Sequence, residues 1–153
     1  MQQRRRAVTR LVVLSGLLVA FGTGYGVRSL DDPKTGCLVL DVLDGDTIRV
    51  EWGGVAETVR LLNVNTPERG EPGWEAARTE LTRLCAGQRV RLEGERADGL
   101  LKRDRWGRLL AYIWTDDGMV NVEMVRRGHS PYYVAYGKGR HAGMFLSAHA
   151  ETR

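Results

Sequence analysis

Between Asp46 and Glu68 the sequence sets out a carboxylate, a guanidinium, an amide and a second carboxylate: Asp46, Arg60, Asn65 and Glu68. Carboxylate and amide oxygens suit a hard cation such as Ca2+. A guanidinium beside them suits a phosphate, which it can grip through two parallel hydrogen bonds. Together the four groups match the needs of cation-assisted phosphodiester hydrolysis. These needs are an activated water, neutralised charge on the phosphoryl oxygens and help for the leaving oxygen. Asp44-Gly45-Asp46 is also an ordinary turn signal that requires no metal. The company of Arg60 and Glu68 is what favours a site there, with Asp44 as turn former or outer partner.

The groups meet only if the intervening chain folds back as a hairpin. Residues 37–43 are apolar and partly β-branched, a strand. Thr47-Ile48-Arg49-Val50-Glu51-Trp52 alternates strictly, which predicts a half-buried strand with Ile48, Val50 and Trp52 inward. Gly53-Gly54 turns the chain and residues 55–62 return as a third strand. Pro67 then ends the sheet, because it cannot donate to a ladder. Trp74, Ala77, Leu81, Leu84 and Cys85 have helical spacing, and Gly87 fits just past the C-cap. Strands follow at 89–93 and 109–114, with 96–107 as an exposed loop between them. Asn121 is placed to cap a short helix ending at Gly128. A last helix begins near Phe145. The order β-β-β-α-β-β-α-α, mainly β with helices (α+β), predicts a five-stranded closed barrel of the OB type with about three helices. Residues 37–153 suffice for one core.

The N-terminus reads separately. Arg4, Arg5, Arg6 and Arg10 precede an uncharged run from Leu11 to Val27, the pattern of a signal peptide or an N-terminal membrane anchor over 1–30. Both alternatives stand: 11–27 is long enough to span as a helix, and Gly22-Thr23-Gly24 offers a small-x-small cleavage site. Residues 31–36 are a linker. Arginines that stay inside leave the domain extracytoplasmic, secreted or anchored. The net charge is +4 and the pI about 9.4, but residues 1–30 hold five arginines and no acid. The remainder, with 18 basic and 19 acidic groups, is close to neutral. Overall charge therefore gives no case for a nucleic-acid partner, and only local clusters can. Outside the cytoplasm Cys37 and Cys85 are expected to pair, the alternative being two buried free thiols. CxxC and Cys/His spacing are absent, which argues against zinc. His129, His141 and His149 lack ligand spacing and read as solvated surface.

Asp44-Gly45-Asp46-Thr47, Arg60-Leu61-Leu62, Thr66-Pro67-Glu68 and the run Asp104 to Tyr112 (DRWGRLLAY) resemble the thermonuclease, or staphylococcal nuclease, family. Val120-Asn121 and Met124 to Gly128 resemble its second helix. The resemblance covers about Cys37 to Phe145. It implies an OB-fold and a Ca2+-dependent phosphodiesterase acting on DNA and RNA. Asp46 falls at a calcium carboxylate and Thr66 where a backbone carbonyl joins the cation. Glu68 falls at the residue serving the attacking water, and Arg60 and Arg108 at the two phosphate-binding arginines. Asn65 departs from the pattern: it stands where the family has a second carboxylate, so the site holds one negative charge fewer. Lys102 to Arg108 is a local cluster of four basic groups and one acidic group around Trp106. Arg105 and Trp106 suit a phosphate with a stacked base, and Tyr132, Tyr133 and Tyr136 are candidates for the opposite wall. A monomer is expected. The competing readings are a non-catalytic OB-fold that binds nucleic acid, and a protein-interaction domain on the outer membrane surface.

Overall fold

The alternating and apolar runs form strands as their periods predict. The structure is a computed structural model that describes residues 36–152. The leader or anchor expected over 1–30, its run 11–27, and all of the 31–36 linker but its last residue lie outside the described residues. Strands β1 (Cys37–Asp44), β2 (Thr47–Trp52) and β3 (Val55–Leu61) make a meander. Helix α1 (Trp74–Cys85) follows, then β4 (Arg89–Glu93), β5 (Lys102–Arg103), β6 (Leu109–Thr115) and β7 (Gly118–Met119). Helices α2 (Val120–Arg126) and α3 (Ala142–Glu151) complete the fold. Strand β1 pairs with β2 and β4, β2 with β3, and β4 with β6. A parallel ladder between β3 and β6 closes the five-stranded barrel, with Val59, Arg60 and Leu61 opposite Leu109, Leu110 and Ala111. Strand β1 carries two register shifts, the local bends a small barrel needs. Among the described residues no helix is long and apolar enough to cross a membrane.

Two turns have distinct causes. Gly53 and Gly54 have φ of 62° and 84°, the positive pair that a two-residue hairpin between right-twisted strands demands. Gly45 sits in the β1–β2 turn for a different reason. A Cβ there would lie 2.6 Å from Thr66 Oγ1 and 2.7 Å from the Ala77 methyl. Its missing side chain lets α1 and the Thr66 segment close on the turn.

Four expectations are corrected. Residues 96–107 are not all loop, since β5 pairs with β6, and β7 adds a second short pairing. Asn121 is not a cap, because Met119 holds the N-cap position of α2. Asn121 is instead fully buried. Its Nδ2 donates to Leu62 O (2.9 Å) and Ala111 O (3.1 Å), and its Oδ1 accepts from Ile113 N (2.8 Å). It ties α2 to the end of β3 and to β6. Asn121→Ala is expected to lower unfolding free energy in urea by about 3 kcal/mol, because it leaves buried backbone groups without partners. Cys37 and Cys85 are buried free thiols, so the expected bridge is not formed. Burial pushes the Cys85 thiol up to about 12, which keeps it inert. His141 is no solvated residue. It stands edge-on to Tyr112 and Trp114 and lies 3.3 Å from Glu93.

Candidate active site

The hairpin turn and the end of β3 bring Asp46 and Arg60 together. Thr47 pairs with Arg60 across the β2–β3 ladder, so the residue before Thr47 faces the guanidinium. Asp46 is 6% exposed. Its Oδ2 lies 2.7 Å from Arg60 Nη1 and accepts from Thr66 N at 3.2 Å and Thr66 Oγ1 at 3.3 Å. Its Oδ1 accepts from Thr47 Oγ1 at 2.9 Å.

Arg60 is the hub. Nη1 also donates to Val64 O at 2.9 Å, and Nη2 donates to Asn65 Oδ1 at 3.0 Å. A guanidinium only donates, so Asn65 must turn its oxygen toward it. Among the described residues, Nε–H and one Nη2 hydrogen remain without a partner. Burial lowers the pKa of the guanidinium; Asp46, Glu68 and Asp44 raise it and Arg108 lowers it, with a net fall. Arg60 thus feels the charges of Asp46, Glu68, Asp44 and Arg108. Glu68 is exposed on the segment beyond Pro67, and its backbone N–H donates to Glu71 Oε2 at 2.8 Å.

Arg108 lies at the end of the β5–β6 loop, near enough for its charge to lower the pKa of Arg60. Asp104 organises that loop: its Oδ1 accepts from Trp106 N (2.9 Å) and Arg108 N (3.0 Å), and its Oδ2 from Arg108 Nε (2.7 Å). Burial would raise the Asp104 carboxyl, yet these bonds hold it below its usual range. Both η nitrogens of Arg108 stay without partners among the described residues. Arg103 fixes the loop from outside through paired 2.8 Å bonds to Glu57 and a 2.7 Å bond to Gly107 O. Trp106, 63% exposed, has the guanidinium of Arg105 4.0 Å and that of Arg108 5.0 Å from its ring centroid.

The tyrosines divide. Tyr136 is 93% exposed and stands edge-on to Tyr133 at 5.9 Å. Tyr132 is a correction to the expected substrate wall. It stacks on Phe145 at 5.0 Å and its hydroxyl donates to the Lys138 carbonyl, so ring and hydroxyl both serve packing. Trp74 escaped sequence reading. Its Nε1 donates to Asp44 Oδ1 at 2.7 Å, locking the turn to α1. Helical spacing marked Trp74 as apolar, and nothing in the sequence pointed its N–H at Asp44.

Asp46, Asn65 and the Thr66 carbonyl are the oxygens that could hold a cation. The set is right in kind for a hard divalent ion. Among the described residues Asp46 Oδ1 and Asn65 Oδ1 each take a single donor, which leaves a lone pair on each. Charge is the shortfall: no group of three or more His, Cys, Asp or Glu side chains among the described residues is placed to hold a metal.

The family model described as Staphylococcal nuclease homologue matches residues 58–153. The thermonuclease of Staphylococcus intermedius is 40% identical over 97 residues, covering 60% of this chain and 55% of that protein. Endonuclease YncB of Bacillus subtilis is 36% identical over 93 residues, covering 56% and 42%. An uncharacterized endonuclease of Escherichia coli is 36% identical over 99 residues, covering 64% and 61%. The chain spans about half the length of the curated relatives it matches.

Proposed function

Because the chain belongs to the staphylococcal nuclease homologue family, we propose that it is a Ca2+-dependent endonuclease hydrolysing phosphodiester bonds of DNA and RNA. The observation that carries this reading is the Arg60 guanidinium, which is held by Asp46 and Asn65, feels Glu68 and Arg108, and still has donors to offer. Glu68 takes the proton of the attacking water. Arg60, through its remaining Nε and Nη2 hydrogens, and Arg108, through its η nitrogens, bind the phosphoryl oxygens and match charge as it builds. Arg108 also stabilises the leaving oxygen. Trp106 with Arg105 receives the adjoining nucleotide. Asp46, Asn65 and Thr66 would hold Ca2+, which when bound supplies positive charge against the phosphoryl oxygens. Names borne by the relatives and the family membership support hydrolysis; the basic-then-apolar leader supports an extracytoplasmic location, secreted or anchored through 11–27. The protein acts as a monomer.

The test is cleavage of single-stranded DNA with Ca2+ and with EDTA. Cleavage that stops with EDTA is expected; equal rates in both, or none in either, would remove the proposal. Asn65→Asp restores a second carboxylate and is expected to tighten Ca2+ binding about 10-fold by titration calorimetry, since ligand charge sets affinity in such sites. Weaker binding would mean the cation sits elsewhere.

A second reading has its own observation. Asp46 and Asn65 are both already bonded to Arg60, as expected of a barrel that binds nucleic acid without cutting it. Salt-sensitive DNA binding with no cleavage would favour that reading.

A further inference from the structure

Asn63, between β3 and the Val64–Glu68 segment, is the one non-glycine among the described residues with positive φ, at 58°. Asparagine tolerates this left-handed conformation better than most side chains. What the conformation achieves is a set of bonds to a distant segment. Asn63 Nδ2 donates to Tyr133 O (2.9 Å) and Gly137 O (3.0 Å), and its backbone oxygen accepts from Tyr133 N (3.1 Å). Two carbonyls facing Nδ2 fix the amide orientation, so Oδ1 faces the Tyr112 hydroxyl at 2.9 Å, whose one proton is shared between Asn63 Oδ1 and Glu95 Oε2. Burial, with Glu95 beside it, pushes the Tyr112 hydroxyl well above the usual phenol range, so it stays a donor. Gly139 completes the seat: φ is 72°, and a Cβ there would run into Asn63 Oδ1 and the Tyr112 hydroxyl. Two residues on, Asn65 N donates to Ser130 Oγ at 2.8 Å.

The segment from Ser130 to Gly139, with its exposed Tyr136, therefore hangs on the same short stretch that leads into Asn65 and Glu68. We propose that Asn63 is a positioning residue for single-stranded substrate: it keeps the Tyr133–Tyr136 platform in register with the phosphate site at Arg60 and Glu68. This rests on the phosphodiesterase reading. Bases stacked on the platform and the phosphate held by arginine then belong to one rigid unit, and strand placement depends on the tether.

Asn63→Gly removes the tether while glycine keeps the left-handed backbone without strain. Asn63→Asp keeps the shape but sets an oxygen against two carbonyls. For either variant, KM for a single-stranded oligonucleotide is expected to rise about 10-fold with kcat within about 2-fold, the scale of one lost base stack. Hydrolysis of a small p-nitrophenyl phosphodiester is expected to hold its rate, and amide exchange across 130–139 to quicken. In a Tyr136→Ala background, Asn63→Gly is expected to add little, since both act through one platform. Equal losses on the two substrates, or full additivity with Tyr136→Ala, overturn the proposal in favour of a purely structural role. Should the unaltered protein turn over neither substrate, the phosphodiesterase reading fails and the tether is judged by oligonucleotide Kd and exchange. Weakened Kd with faster exchange upholds it, and unchanged values in both variants overturn it.

Discussion

Glu68→Gln is expected to lower kcat on single-stranded DNA by about 1000-fold, within the range of a positioned general base. The loss should be confined to rate. Glu68 is exposed, its side chain makes no hydrogen bond among the described residues, and its backbone bond to Glu71 is untouched by the change. An exposed substitution of this kind shifts stability by about 0.5 kcal/mol or less. Single-turnover rates and a thermal melt on the same sample check both halves. A variant that keeps its rate within about 10-fold would assign proton abstraction to another group.

Arg60→Met is expected to damage stability and rate together. Asp46 is buried, and Arg60 is its sole cationic partner among the described residues. Removing one member of a buried pair costs about 3–5 kcal/mol, because the other charge stays behind without water. On the proposed mechanism, loss of the phosphate-binding guanidinium adds a rate loss of about 100- to 1000-fold. The two effects separate in Asp46→Asn/Arg60→Met, which removes both charges and is expected to recover most of the stability and none of the rate. Urea denaturation of the single and double variants decides it. A single variant within about 1 kcal/mol of the parent would show that Asp46 does not depend on Arg60.

The barrel was readable because its strands obey a period of two and its turns carry their own signals. Thr47 to Trp52 and Arg89 to Glu93 are observed with the bounds their alternation predicts. The short pairings of β5 and β7 were not readable. Two-residue strands have no period, and their partner strand β6 decides them. Asp46, Arg60 and Asn65 were legible as a patch because the two ends of a closed hairpin, and the residues just past it, must lie side by side. Asn121 misled: Asn favours helix starts, and only the finished fold shows three backbone groups waiting for one amide. Asn63 and Trp74 were silent for the same reason, since their partners Tyr133, Gly137 and Asp44 lie on other elements.

The parallel ladder between β3 and β6 has a kinetic consequence. It joins segments far apart in sequence, and it runs through Arg60 and ends beside Arg108. Local hairpins and helices form early in folding, whereas such long-range pairing waits on loop closure. A chain with β1–β3 and α1 in place would hold Asp46 and Arg60 and still lack Arg108. The proposed catalytic surface would therefore come into being in the same event that seals the barrel, and on that reading partly folded forms of this protein would carry no hydrolytic activity to expose to the cell that makes them.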